Sequence, residues 1–223
     1  MSKKQTDNKK QTSQITLVLD SSSTPLTIAL NAHGKTYTAK TNKIKQEEFL
    51  FPLLRRLLKK ADIKLAEVKK VFFVKGPGRF TGIRIGITLA SMLSELAGAD
   101  IASASIFDLL KFKAAAAKEY KTWLAKNPDG NLAVILHAFR GEYFVQIGQN
   151  APVWIDVEEL KKLLKKTKKP LFIVGWGADR TPLADALPAA YTYGPVKLNF
   201  VDAKPMLAYA AALPDTQNKK EVL

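Results

Sequence analysis

KGPGRFTGIRIG, residues 75 to 86, follows the apolar run Val71, Phe72, Phe73 and Val74 and leads into ITLASMLSELAG. A continuous apolar strand handing over through glycines to a long helix is the repeating unit of parallel sheets buried on both faces. The glycines at the handover admit two explanations. In the first, a strand ending in Gly-Pro-Gly leaves the first backbone N–H groups of the helix open to an anion, which makes Gly76, Gly78, Arg79 and Thr81 a candidate anion site. The spacing from Gly76 to Gly78 to Gly82 matches neither GxxxxGK[ST] nor GxGxxG, and Pro77 removes one donor. In the second, the glycines serve packing. Gly82, Gly86 and Ala90 recur every fourth residue and form a nearly bare ridge, with Ile83, Ile87, Met92 and Leu96 on other faces. A helix so poor in polar surface is expected to be covered on more than one side, by its own sheet and by a second helix of this chain or of another.

The segment before the strand supplies such a helix. QEEFLFPLLRRLLKKAD spaces Phe49, Leu50, Leu53, Leu54, Leu57 and Leu58 at helical intervals, with Arg55, Arg56, Lys59 and Lys60 opposite. Pro52 places the start of this helix near Glu48 or bends it there. Phe49, Leu50, Leu53 and Leu57 on this helix can cover only part of the face around Gly82, Ile83, Gly86, Ile87 and Ala90 on the other, and these nine are the candidate partner-binding residues that the resemblance described below implies. A bulky residue at Gly86 or Ala90 is expected to break partner binding while the fold survives.

Further out, ITLVLD (15 to 20) and LTIALNAHGKTYTAK read as a three-stranded meander with a turn near Asn31 to Gly34. The glycine-loop helix is expected to end at Gly98, followed by a short strand, DIASAS, and a third helix from Ile106 through about Lys126. That completes βββαβαβα. The second half opens again with strands, LAVILHA, EYFVQIG and VWI, then a helix at 156 to 166, the strand LFIVG, a short helix near 178 to 186 and a last helix near 202 to 212. It reads as a worn version of the first half, each half carrying a mixed sheet. The expected division is an arm at 1–14, an N-terminal lobe at 15–127 and a reduced C-terminal lobe at 128–223.

Thirty-five Lys and Arg against 20 Asp and Glu give a net charge of +15, and there is no cysteine. The first fourteen residues hold four of the lysines and no apolar stretch, so they read as a disordered basic arm and not a signal peptide. Most of the excess charge lies beyond them and favours polyanionic company, RNA included. In KKLLKKTKKP (161 to 170) the leucines share one helical face, so the lysines there read as a solvated face. No run approaches the roughly 20 apolar residues of a membrane span, and the absence of cysteine excludes disulfides and thiolate metal sites. A cytoplasmic location without membrane contact is the expectation.

The segments LVLDSSSTPLTIAL (17 to 30) and GPGRFTGIRIG (76 to 86), the leucine-rich helix between them and, more weakly, AFRGEYF (138 to 144) resemble the TsaB (YeaZ, glycoprotease-like) family. The resemblance implies an α/β fold of two actin-like, ribonuclease H-like lobes. It also implies a non-catalytic scaffold role in biosynthesis of tRNA N6-threonylcarbamoyladenosine, with a TsaD-like catalytic subunit, or a second copy of the chain, docked on the helices flanking the glycine loop. Transfer RNA would then be met through the complex, and no cofactor is implied for this subunit. Arg79 stands where the family commonly has serine. Gln46-Glu47-Glu48 replaces His-Ser-Glu, and His137 and Phe139 occupy positions usually acidic and basic.

Two other function classes stay open on the residues. A nucleotide-binding or phosphotransfer enzyme of actin-like fold would use Asp20, which ends the first strand; the competing reading makes Asp20 a turn residue capping SSST. A basic RNA-binding module would need aromatic stacking platforms, and only Tyr191 and Tyr193 near Lys197 come near that in sequence. His33 and His137 lie far apart and form no HxxxH pair, and no serine stands in a G-x-S-x-G elbow.

Overall fold

A computed structural model describes residues 14–43, 45–176 and 191–213. The expected basic arm, apart from Gln14, and the short helix near 178 to 186 lie outside the described residues.

Strands β1 (Thr16–Asp20), β2 (Leu26–Ala32) and β3 (Lys35–Thr41) form the antiparallel meander, and β4 (Lys70–Val74) and β5 (Asp100–Ala104) extend it in parallel, giving the order β3-β2-β1-β4-β5. The second sheet repeats the plan. Strands β6 (Asn131–His137), β7 (Glu142–Ile147) and β8 (Val153–Asp156) pair antiparallel, and β9 (Leu171–Val174) and β10 (Tyr191–Tyr193) add in parallel beside β6. Read from the meander side its order is β8-β7-β6-β9-β10, the same as the first sheet position for position. Two mixed sheets of one topology agree with the two-lobed α/β plan expected from the sequence. The three-residue β10 was not foreseen, because Tyr191 and Tyr193 gave no alternation long enough to read.

Helices α1 (Gln46–Ala61) and α2 (Phe80–Ala97) cover one face of the first sheet. There Leu17, Leu19, Ile28 and Phe73 meet Leu50, Leu53, Leu57, Leu89 and Leu93. Each such side chain, fully buried, stabilises the fold by roughly 1.5–3 kcal/mol. Helix α1 runs through Pro52. Helix α2 stops where expected, with Gly98 in the left-handed region at φ 63.

Alternate residues of the same strands, Val18, Ala29, Phe72 and Val74, point the other way into a second core. That core also takes in α3 (Ile106–Ala116), α6 (Ala203–Ala212) and Leu132, Val134, Leu136, Phe172 and Val174 of the second sheet. The far face of the second sheet packs Ile135, Tyr143 and Val145 against Leu160 and Leu164 of α5 (Val157–Lys166). The lysines of α5 do ring a leucine seam.

The single helix expected from Ile106 to about Lys126 is broken. Ala117 is extended at ψ 139, and α4 (Lys118–Lys126) sets off in a new direction. The break brings Tyr120 and Trp123 onto Phe172, with ring centroids 5.3 and 5.5 Å apart. Tertiary packing overrides the alanine-rich local preference.

Candidate functional site

The glycine loop is fitted to the turn that follows β1. Arg79 N donates to the Ser22 carbonyl at 2.7 Å, and Ser21 Oγ donates to the Gly82 carbonyl at 2.7 Å. A Cβ on Gly78 would lie 2.3 Å from Ser22 O, and one on Gly82 1.7 Å from Ser21 O. Two backbones touch here, and only glycine allows it. The loop is also sewn to the next unit, Lys75 N donating to Ala104 O and Ile106 N to Gly76 O.

This geometry redistributes the candidate anion residues. The amide of Arg79 is committed to a carbonyl oxygen, which stands where a bound anion was expected. Gly76 is buried, Gly78 and Arg79 line a cleft between the sheets, and Thr81 turns into a groove between α1 and α2. The four do not converge.

The small-residue ridge is corrected as well. Gly82, Gly86 and Ala90 are buried against the protein's own first sheet, Gly86 facing Ser21, Leu19 and Phe73. Leu50, Leu53 and Leu57 are in the same core, and Phe49, Ile83 and Ile87 are half-buried, Phe49 beneath the Lys43 ammonium at 4.6 Å. Cover by the chain's own sheet was one of the two sides expected; the ridge itself takes that side and leaves nothing for a partner, because periodicity gives a face without saying which way it points. A bulky residue at Gly86 would disrupt the core before any docking. What α1 and α2 turn outward is Phe51 (51% exposed), Phe80 (72%), Leu96 (76%) and a band of cations. Phe51, Thr81, Arg84, Ile85 and Thr88 border a groove of about 330 Å³ between the helices. Phe51, Pro52, Arg55, Arg56 and Lys59 border another of about 360 Å³.

Asp20 is 1% exposed. Its Oδ1 accepts from Ser22 N (2.9 Å) and Ser22 Oγ (2.7 Å), and its Oδ2 accepts from Ser23 Oγ. This is the turn-capping role. Both oxygens are occupied within the SSST turn, and Gln46 Nε2 ties α1 to the same turn through Ser23 O at 2.8 Å. Burial pushes the Asp20 carboxyl above the ordinary 3.8, against the pull of the Ser23 and Ser22 hydrogen bonds. At low pH both folded and unfolded states hold the proton. As pH rises past 3.8 the unfolded chain ionises first, so Asp20 stabilises least above its folded pKa. Asp20→Asn cannot ionise. Its melting temperature relative to the parent is expected to rise from pH 4 to pH 7, and a constant difference would refute the assignment.

The cleft between the sheets has about 610 Å³ of space. One wall is Ser22, Ser23, Thr24, Pro77, Gly78 and Arg79; the other is mostly aromatic, with Phe139, Phe144, Trp154, Trp176 and Phe200 beside His137 and Glu142. His33 sits in the β2–β3 turn at φ 51. Among the described residues no cluster of three His, Cys, Asp or Glu could hold a metal ion. No helix among them is long and apolar enough to cross a membrane.

A protein of Buchnera aphidicola (subsp. Schizaphis graminum) named tRNA threonylcarbamoyladenosine biosynthesis protein TsaB is 30% identical over 172 residues, which is 74% of this chain and 80% of that one. The chain belongs to the TsaB family. The Bacillus subtilis TsaB protein is 30% identical over 174 residues, covering 71% of this chain and 69% of its own. The family model for TsaD, tRNA N6-adenosine threonylcarbamoyltransferase, matches residues 43–138, a span that includes α1 and α2. The solved structure of YeaZ from Pseudomonas aeruginosa superposes with a TM-score of 0.64 at 19% identity, over 89% of this chain and 91% of that chain. That likeness supports the fold, and the TsaB sequences carry the family.

Proposed function

We propose that the chain is the non-catalytic scaffold subunit in biosynthesis of tRNA N6-threonylcarbamoyladenosine and docks a TsaD-like catalytic subunit on the outer faces of α1 and α2. The observation that carries the docking face is selective exposure. The inward residues of both helices are consumed by the first sheet, while Phe51, which borders both grooves, and Phe80, which lies against Arg84 at the edge of one of them, stand in solvent. Aromatic anchors next to concave apolar surface are what protein partners use most. The place in threonylcarbamoyladenosine biosynthesis rests on the relatives' names, and the scaffold role is supported by Asp20, the carboxylate a phosphotransfer enzyme would use, having both oxygens engaged in its own turn.

Charge selects the partner. The grooves are bordered by Arg55, Arg56, Lys59 and Arg84 against Glu47 alone. A second copy meeting this face symmetrically would set cation against cation, so an acidic heterologous subunit is favoured over a homodimer. Size-exclusion chromatography of the chain mixed with a TsaD-like subunit tests this. Co-elution at low salt that weakens at high salt is expected, with the chain alone eluting as a monomer. Failure to co-elute, or threonylcarbamoyl transfer by the isolated chain, overturns the reading.

A further inference from the structure

The aromatic wall of the cleft is not explained by the docking face, and it is assembled from four separate segments. The β7–β8 register sets Phe144 opposite Trp154, and their rings stack with centroids 6.3 Å apart at 25°. Phe144 packs on the central core below, while Trp154 is 63% exposed on the edge strand. Trp176 stacks on Phe200 at 6.4 Å and 10°, its indole fixed by Nε1 donating to the His137 carbonyl at 3.2 Å. The tight β6–β7 turn, with Arg140 at φ 49 and Glu142 N donating to Phe139 O, pushes Phe139 out to 65% exposure. The Arg140 guanidinium lies 5.1 Å from the Phe139 ring centroid.

Large aromatic faces left in water are a standing cost unless something flat covers them. A supported ring whose outer face is open, flanked by arginine, is the arrangement that stacks bases of single-stranded nucleic acid, and a strongly cationic protein draws that polyanion in. The opposite wall, with Arg79 and Thr24, brings a cation and a hydroxyl to the same cleft. Its volume of about 610 Å³ falls within the roughly 300–1,000 Å³ of small-ligand clefts, so it suits one or two bases and not a duplex.

We propose that the cleft between the sheets is a stacking site for unpaired bases of an RNA strand, held on Trp154, which Phe144 backs, and on Phe139, with Arg140 at the phosphates. The site is separate from the α1–α2 face and does not depend on partner docking. It also revises the sequence expectation, which looked for aromatics interleaved with lysines along the chain; here the platform is made by strand register.

Intrinsic tryptophan fluorescence of the full chain tests it, because Trp154 and Trp176 line the cleft while Trp123 packs on Tyr120 and Phe172. The probes are a twelve-nucleotide single-stranded RNA, its perfect duplex, an abasic strand of the same length, and adenosine monophosphate. Saturable quenching by the single strand is expected, retained in Trp123→Phe, with the duplex and the abasic strand leaving the fluorescence unchanged. Trp154→Ala should weaken single-strand binding about tenfold by filter assay, with an unaltered melting temperature because the ring is exposed; Phe139→Ala should weaken it in the same direction. Equal binding of parent and Trp154→Ala overturns the proposal. So does equal binding of single strand and abasic strand, which reports charge alone, or quenching by adenosine monophosphate at the same concentrations as RNA, which assigns the cleft to a small nucleotide.

Discussion

Gly82→Ala is expected to destabilise the protein by about 3 kcal/mol, lowering its melting temperature by roughly 6–12 °C. The new Cβ would stand 1.7 Å from Ser21 O, a distance no packing tolerates, and the obstacle is backbone on both sides. Relief requires α2 to lift away from the turn after β1. That breaks the hydrogen bond from Ser21 Oγ to Gly82 O and the bond from Arg79 N to Ser22 O, and it loosens Leu89 and Leu93 from the core. Gly86→Ala is the control. Its Cβ would meet the Ser21 hydroxyl at 3.1 Å, a side-chain atom that need shift only slightly and can keep its bond to Gly82 O, and alanine gains about 1 kcal/mol of helix propensity over glycine. Thermal melts showing Gly82→Ala as stable as Gly86→Ala would refute the close-contact account of the loop.

Phe51→Glu combined with Phe80→Glu should weaken binding of a TsaD-like subunit at least about a hundredfold while leaving the melting temperature within about 2 °C of the parent. Both rings are more than half exposed, so neither supports the fold, and each would be replaced by a charge that must be desolvated on docking. Isothermal titration against the same subunit measures the loss. Undiminished affinity in the double variant would move the docking surface elsewhere. Leu96→Glu separates the two ends of α2: it is equally exposed but, unlike Phe80 under the groove residue Arg84, lies at the far end of the helix, and its effect should be small.

Apart from β10 and the split between α3 and α4, the order of the described strands and helices was legible in the sequence, because strands buried on both faces read as apolar runs and α1 and α5 carry a clear 3.6-residue period. The meander, the Gly98 stop and the leucine seam of α5 follow from local chemistry. The direction of the α2 ridge did not, since Gly82, Gly86 and Ala90 fit a partner helix as well as a sheet until the turn after β1 is in place. Neither did the break at Ala117, which answers to Phe172, some 50 residues away. The aromatic cleft was the least readable feature. Alternation in EYFVQI puts Phe144 on the opposite face from Tyr143 and Val145, but only the hairpin register shows that Trp154 joins it, and nothing local links either to Trp176 or Phe200.

The middle layer has a mechanical corollary. Val18 and Phe72 of one sheet and Val134 and Phe172 of the other belong to a single apolar mass with α3 and α6. Prising the two halves apart would wet all of it at once, so separating the sheets carries the cost of exposing the whole middle layer. Whatever enters the gap must fit the shape already there, and whatever leans on the outer helices meets a stiff buttress.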